Sequence, residues 1–250
     1  MGRFHEAHES SWSIVDSRKL EDAIFDLKLK LAQTIGVSTG MTVVDIGCGQ
    51  GGFTAALAKS VGRKGKVLAV DVSNEYLSEF MERMVKYGAD NTVTFIHKDA
   101  VSLTDVVADE TADMVVGYRL LEELKEASAM SGVLREMARI VKKGGKACII
   151  ELNTKTRNEA EETYVRLHRE SGDLLFESDE IVEAMKKAKL ASVRLEEFET
   201  YIWFSPELAK QDLGFAQVWF DEDVKRTLGY EIDKHGMKYP SMRIFSGMKA

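Results

Sequence analysis

The chain has 250 residues and a net charge of −7. This length can bury one substantial core, and an acidic balance argues against a nucleic-acid partner, which usually meets a basic face. The N-terminus is polar and no apolar run approaches about 20 residues, so neither a secretory signal nor a membrane span is expected. Cys48 and Cys148 are predicted to be free thiols, which indicates a reducing, cytoplasmic setting.

The N-terminal residues 1–40 are predicted to form a helical arm. Helical periodicity covers residues 16–35 and ends at Gly36. The apolar positions that carry this period are Leu20, Ile24, Leu27 and Leu31. His5 and His8 are three residues apart, but no third ligand lies near them in the sequence, so we expect no metal site there.

Residues 41–59 organise the rest of the chain. A short apolar strand ends at Ile46, glycines follow at positions 47, 49, 51 and 52, and an alanine-rich helix begins at Phe53. Strand, glycine turn and helix together form the nucleotide-holding corner of an open α/β sheet. The glycines also satisfy G-x-G-x-x-G, so a dinucleotide such as NAD is one candidate ligand.

Asp45, just before the turn, distinguishes between the candidate ligands. Its carboxylate would repel a pyrophosphate but attract the sulfonium and ammonium groups of S-adenosylmethionine (SAM). The run V-V-D-I-G-C-G-Q-G-G resembles motif I of the class I SAM-dependent methyltransferases. The resemblance implies that SAM is the cofactor, and that the turn binds it. The turn residues concerned are Asp45, Gly47, Cys48, Gly49 and Gly51.

The next two strands are predicted to supply the adenosine contacts. K-V-L-A-V-D-V-S ends at Asp71, about 20 residues beyond the turn, where an acid can bind both ribose hydroxyls in SAM and dinucleotide enzymes alike. Val72 would flank the adenine. After the strand T-V-T-F-I, the resemblance implies that Asp99 binds the adenine amino group and that the amide of Ala100 contacts a ring nitrogen. The alternative is that Asp99 caps the next turn.

The segment A-D-M-V-V-G-Y-R-L-L-E-E-L contains the fourth strand and the candidates for the acceptor side. The resemblance places Tyr118 at the cofactor, and Arg119 and Glu122 at the acceptor. The segment holds neither an N/D-P-P-Y/F tetrapeptide nor a cysteine nucleophile, which argues against methylation of DNA amines, glutamine or cytosine C5. No residue is identified as a catalytic base.

The C-terminal part is predicted to complete the core, residues 41–202 and 240–250, with an insertion at 203–239. A helix ending in L-R-E-M-A-R-I-V-K-K-G-G resembles the family pattern before the fifth strand, with lysine in place of its proline. The aromatic insertion is expected to be helical and to cover the acceptor pocket as a lid. A packing annex or a homodimer contact is the alternative. The expected substrate contacts of the lid are Trp203, Trp219 and Tyr239.

Taken together, these motifs predict a doubly wound α/β fold. The class I methyltransferase fold implies a mostly parallel seven-stranded sheet whose last strand is antiparallel. The predicted activity is SAM-dependent methyl transfer to a small-molecule acceptor. An RNA or protein methyltransferase, marked by a basic groove beside the glycine turn, and a non-catalytic SAM-binding module, marked by a sealed methyl-facing side, are the alternatives.

Overall fold

A computed structural model describes residues 13–14, 17–215 and 222–250 of the chain. The described strands are β1 Ser13–Ile14, β2 Thr42–Ile46, β3 Lys66–Asp71, β4 Val93–His97, β5 Ala112–Tyr118, β6 Val141–Leu152, β7 Leu190–Phe198, β8 Trp203–Phe204, β9 Met237–Lys238 and β10 Met242–Lys249. The described helices are α1 Ser17–Thr34, α2 Gly52–Val61, α3 Leu77–Lys86, α4 Met130–Ile140, α5 Glu159–Glu170, α6 Ser178–Lys187, α7 Pro206–Phe215 and α8 Glu222–His235.

Seven of these strands form one sheet in the order β4-β3-β2-β5-β6-β10-β7. Strand β2 runs parallel to both β3 and β5, and the pairs β3–β4 and β5–β6 are also parallel. Val43, Val44 and Ile46 are fully buried because a central parallel strand is covered on both faces. The predicted seven-stranded, mostly parallel sheet is confirmed.

Two element boundaries differ from the sequence prediction. The run A-S-V-R-L-E-E-F-E-T-Y-I-W-F predicts a sixth strand that reaches Phe204. In the structure, β7 ends at Phe198, and Trp203–Phe204 forms β8, which pairs with β1 and β9 in a separate three-stranded sheet. Ser73 and Asn74, which follow the second predicted strand, predict a helix start, but helix α3 begins only at Leu77. The Ser73 side chain accepts a hydrogen bond from the amide of Glu75, and such local bonds favour a turn over the first helical residues.

The chain divides into two compact units. The first, here called the cap unit, comprises the described residues up to Ile24, Leu152–Leu175 and the described part of Phe198–Met242. The second, the sheet unit, comprises Phe25–Glu151, Phe176–Glu197 and Arg243–Ala250. The sequence had assigned residues 152–175 to the core, but helix α5 packs against α8 and β9 and so groups with the insertion.

The cap unit has its own polar and aromatic interior. The Tyr164 ring lies 4.9 Å from the ring of Tyr239 and 5.8 Å from that of Phe204, measured between centroids. Glu161, only 1% exposed, accepts hydrogen bonds from Lys238 Nζ at 2.6 Å and from the Arg157 guanidinium at 2.9 Å. Helix α5 is therefore fixed to β9 by both packing and charge.

Candidate active site

The glycine turn after β2 is closed toward the protein and open on one side. Gly47 and Gly51 have φ values of +75° and +78°, which strongly favour glycine. A Cβ at Gly47 would lie 2.6 Å from Leu120 Cδ1, and one at Gly51 would lie 2.6 Å from Phe80 Cδ2. At Gly49, by contrast, no atom lies within 4 Å of the Cβ position. A ligand can therefore approach the backbone at Gly49.

Asp71, at the end of β3, joins the two loops that follow β2 and β3. Its Oδ2 accepts a hydrogen bond from the Gly49 amide at 2.7 Å, and its Oδ1 accepts one from the Ser73 amide at 2.9 Å. Each carboxylate oxygen can accept a further bond, so the hydroxyls of a ribose can still be accommodated. The neighbouring Val72 is 56% exposed, as expected of a residue that would flank an adenine.

Asp99 and Ala100 follow β4 at the same edge of the sheet, because β4 pairs in parallel with β3 and His97 lies opposite Asp71. Oδ1 of Asp99 accepts a hydrogen bond from the Val101 amide at 3.1 Å. This is the turn-capping contact that the sequence left as the alternative. The adenine contacts of Asp99 and Ala100 stay predictions.

Asp45 is 1% exposed, and its Oδ2 accepts a hydrogen bond from the Thr54 hydroxyl at 2.6 Å. Among the described residues, nothing donates to its buried Oδ1. Burial raises the pKa of Asp45 to about 7; the Thr54 bond lowers the pKa and the charge of Asp71 raises it. The sequence treated Asp45 as an ionised carboxylate, but burial leaves its charge incomplete at neutral pH. Cys48, the next turn position named, is buried as a free thiol.

Lys28 on helix α1 is a site residue that sequence reasoning missed. Its Nζ lies 5.3 Å from the centre of the Tyr118 ring, and a Cβ at Gly52 would lie 2.5 Å from that nitrogen. Burial, followed by the charges of Arg83 and Arg119, lowers the pKa of Lys28 to about 8. Within the described chain, no hydrogen bond or ion pair satisfies its ammonium group.

The sequence contained a signal for Lys28. The residue stands four positions after Ile24 and three before Leu31, so it lies on the apolar stripe of α1 rather than on the solvated face. A lysine at a core-facing helical position is uncommon without a partner.

The predicted acceptor-side residues follow β5. The Tyr118 ring stacks on Phe53 at 4.8 Å between centroids. Arg119 has a φ of +52°, an unusual backbone conformation for a side chain of this size, and its Nε donates to Glu122 Oε1 at 2.5 Å. Glu122 is 3% exposed. The structure therefore brings Arg119 and Glu122 together as a largely buried ion pair.

Glu151, at the end of the neighbouring strand β6, is a second residue that sequence reasoning missed. It is 4% exposed, and its Oε1 accepts a hydrogen bond from the Leu121 amide at 2.8 Å. Burial, and after it the charge of Glu122, raises the pKa of Glu151 to about 8. The available signal was an acid at the end of the apolar strand A-C-I-I-E-L.

The three predicted lid residues belong to the insertion. Trp219 lies outside the described residues. Tyr239 is 6% exposed and packs on Tyr164 inside the cap unit. Trp203 is half-buried, with Lys238 Nζ 5.8 Å from its ring centre. The substrate contacts of these residues, and the lid itself, stay predictions.

A family model described as "Methyltransferase domain" matches residues 37–197, a range that includes most of the sheet unit and Leu152–Leu175 of the cap unit. The chain belongs to this family. The match begins just before β2 and includes the glycine turn, Asp71 and the segment after β5. It confirms the resemblance to class I methyltransferases that motif I indicated.

The curated relatives of this methyltransferase-domain chain are similar to about half of it. A demethylmenaquinone methyltransferase from Bacillus velezensis is 32% identical over 123 residues, which are 49% of this chain and 50% of the relative. The chain thus spans about half the length of the curated relatives it matches. A cyclopropane-fatty-acyl-phospholipid synthase-like protein from Lactobacillus casei has a TM-score of 0.74 at 16% identity, covering 95% of each chain.

A second solved structure carries a cofactor. It is a phosphoethanolamine N-methyltransferase 2 from Haemonchus contortus in complex with S-adenosyl-L-methionine, with a TM-score of 0.58 and 20% identity. The match covers 90% of this chain and 52% of that one. At these identities, both solved structures support the fold. In the described part of the chain, no helix is long and apolar enough to cross a membrane.

Proposed function

We propose that this chain is a SAM-dependent methyltransferase that acts on a small-molecule acceptor. The observation that carries the proposal is a pair of groups beside the glycine turn. The Lys28 ammonium has no hydrogen-bond or ion-pair partner among the described residues, and Asp45 Oδ1 is buried without a donor. The methionyl end of SAM has a carboxylate and an ammonium group, which complement this pair. NAD has no ammonium group to offer Asp45. The residues present therefore fit SAM better than a dinucleotide.

We assign the adenosyl end of SAM to Gly49 and to the residues that follow β3 and β4. Gly49 supplies the open approach, and Asp71 would bind the ribose hydroxyls through its remaining lone pairs. Val72, Asp99 and Ala100 would surround the adenine. In the family fold, ligands bind at the carboxyl ends of parallel strands, where these residues lie.

When bound, SAM supplies a methyl group already activated by its sulfonium. The acceptor's nucleophilic atom would take this methyl group, and the electron pair of the broken carbon–sulfur bond would remain on sulfur. The protein's task is alignment, which in favourable cases supplies about 7–11 kcal/mol. Lys28, Asp45 and Asp71 would fix the cofactor, while Arg119 and Glu122 are the candidate contacts for the acceptor.

A small molecule is favoured as the acceptor over RNA or protein. The net charge of −7 gives no general attraction for a polyanion. The 32% identical relative is named for methylation of demethylmenaquinone, a small molecule. The deciding experiment incubates the protein with methyl-labelled SAM and separate metabolite, RNA and protein fractions of a cell extract. Label is expected in metabolites; label confined to RNA or protein would refute the small-molecule assignment.

Lys28→Met tests the cofactor assignment directly. Loss of a charge-assisted hydrogen bond costs about 1.5–3 kcal/mol, so S-adenosylhomocysteine should bind about 10- to 100-fold more weakly. Methylthioadenosine, which lacks the amino-acid end, should bind the wild-type protein and Lys28→Met equally well. Calorimetry with both ligands makes the comparison, and the exposed Lys30→Met on the same helix is the matched control. Wild-type protein that bound NAD and ignored SAM would contradict the proposal.

Asp71→Ala should weaken SAM binding by about 1.5–3 kcal/mol, because the ribose loses a charged acceptor. The variant also removes the hydrogen bonds that the amides of Gly49 and Ser73 donate to Asp71, so the two loops are no longer joined by them. Asp71→Asn keeps an acceptor oxygen and should lose less. Titrations with S-adenosylhomocysteine, checked against the melting temperature, measure both effects. Unchanged affinity in folded Asp71→Ala would assign the residue to loop structure alone.

A further inference from the structure

Glu122 leaves one buried oxygen without a hydrogen bond. The side chain is 2% exposed, and Oε1 is occupied by Arg119. In the described chain, nothing donates to Oε2, which is also removed from solvent. A buried acceptor without a donor loses its hydrogen bonds to water and gains none in return, so such atoms are seldom left unfilled in folded proteins. The vacant Oε2 therefore points to a missing donor.

Arg119 holds one oxygen of the Glu122 carboxylate and leaves the other uncontacted. Its Nε donates to Oε1 at 2.5 Å, and its Nη2 also contacts Oε1. The neighbouring Glu151 has its pKa raised to about 8 by burial and by the charge of Glu122, while Arg119 and Arg243 act to lower it. Arg119 is therefore the side-chain partner that positions Glu122.

The position of Glu122 suits a ligand rather than a purely structural partner. It lies on the turn Leu121–Glu123, directly after β5, and Glu151 ends the adjacent parallel strand β6. Ligands of open α/β sheets bind at the carboxyl ends of the strands. The φ of +52° at Arg119 places a strained residue between Tyr118 and Glu122. Backbone strain of this kind concentrates at functional sites.

The existing ion pair restricts what the missing donor can be. Arg119 already gives the Glu122 carboxylate a positively charged partner at Oε1. The donor to Oε2 therefore need not bring a charge of its own, and a hydroxyl donates a hydrogen bond without adding one. This arrangement favours a neutral donor.

We propose that Glu122 Oε2 accepts a hydrogen bond from a hydroxyl group of the methyl acceptor, so that the site takes a neutral, hydroxyl-bearing small molecule. This inference rests on the proposed methyltransferase function and specifies its acceptor. Arg119 acts as the positioning residue, because it holds the Glu122 carboxylate while leaving Oε2 vacant. Glu151 holds the turn in place through the Leu121 amide.

Two probes that differ only at their hydroxyl groups test the proposal. Protein saturated with S-adenosylhomocysteine is titrated with 1,4-naphthohydroquinone under reducing conditions, and separately with 1,4-dimethoxynaphthalene. The hydroquinone should bind about tenfold or more tightly, since a hydrogen bond to a charged group is worth about 1.5–3 kcal/mol. Equal binding of the two probes, or no binding of the hydroquinone, overturns the proposal.

The variant Glu122→Gln assigns the preference to this residue. The hydroquinone preference should fall to about threefold or less, because a neutral amide is the weaker acceptor. Binding of S-adenosylhomocysteine should stay within about twofold. Glu123→Gln, an exposed neighbour on the same turn, is the matched control and should keep the preference. If Glu122→Gln keeps the preference for the hydroquinone, Oε2 does not accept from the ligand hydroxyl, and an ordered water is its donor instead.

The outcomes separate this inference from the proposed function. Failure of the wild-type protein to bind S-adenosylhomocysteine would refute the proposed function itself. Normal cofactor binding without a hydroxyl preference would refute only the role of Glu122. If Glu122→Gln melts far below the wild-type protein, the two-probe comparison on wild-type protein still decides the question.

Discussion

Asp45→Asn should make the cofactor-free protein more stable while it weakens SAM binding. The pKa of Asp45 rises from 3.8 to about 7 in the folded chain. A shift of about three units corresponds to about 4 kcal/mol at pH 8, which the native state loses by holding a buried charge. Asparagine removes the charge, but its amide N–H lacks a partner. The net gain in the free energy of unfolding should be about 1–3 kcal/mol.

The same substitution should change the pH dependence of stability. Between about pH 4 and 7, the folded protein binds more protons at Asp45 than the unfolded chain does, so wild-type stability falls as the pH rises through this window. Asp45→Asn should remove the part of that fall that comes from Asp45, whereas Glu151, whose pKa is also raised, keeps its own part. Denaturant unfolding at pH 5 and pH 8 measures it, with the exposed Asp22→Asn as control. A variant with wild-type pH dependence would mean that Asp45 is not the titrating group.

The cost of Asp45→Asn should appear in the affinity for SAM. The ammonium group of SAM would lose its charged partner, so binding should weaken about 10- to 100-fold. A residue that destabilises the empty protein and favours the bound one is expected at a functional site. Calorimetry at pH 8, where Asp45 is mostly ionised, gives the largest difference. Undiminished SAM affinity in Asp45→Asn would place the ammonium elsewhere.

Glu161→Gln should unfold or strongly destabilise the cap unit. The buried carboxylate accepts bonds from Lys238 Nζ and from both the amide and the guanidinium of Arg157. Removing one partner of a buried ion pair costs about 3–5 kcal/mol, because the other charge remains buried without compensation. Here that charge is the Lys238 ammonium, whose side chain is 11% exposed, whereas Arg157 keeps Glu199 as a partner. Hydrogen exchange of α5 and the melting temperature measure the loss. The matched control is Glu162→Gln, an exposed position on the same helix.

The pH dependence of this network has the opposite sign to that of Asp45. Burial raises the pKa of Glu161, but the bonds from Arg157 and Lys238 lower it more, so the net pKa lies below its ordinary value. Its contribution to stability is therefore present above about pH 4.5 and is lost as the pH falls through the folded pKa. Glu161→Gln should remove this acid sensitivity from α5. Equal acid sensitivity in variant and wild-type protein would assign it to other carboxylates.

The sequence alone determined the sheet and the glycine turn. Strand and helix periodicities are local, and the run from Asp45 to Gly52 combines a strand end, a turn and a helix start within a few residues. Asp71 was found for the same reason, since its distance from the turn is set by one helix and one strand. Motif spacing was therefore sufficient to locate Asp45, the glycines and Asp71 in the fold.

Only the tertiary structure decided which groups are buried and what they face. Lys28 and Glu151 lie far from the glycine turn in sequence, and their lowered and raised pKa values arise from burial, which no spacing rule measures. The ionisation of Asp45 depends on the same desolvation. The grouping of residues 152–175 with the insertion follows from packing between distant helices. Local sequence pattern therefore predicts the strands, helices and turns. The charge of a side chain, the buried acceptors that lack a donor and the boundaries of the two units depend on long-range packing.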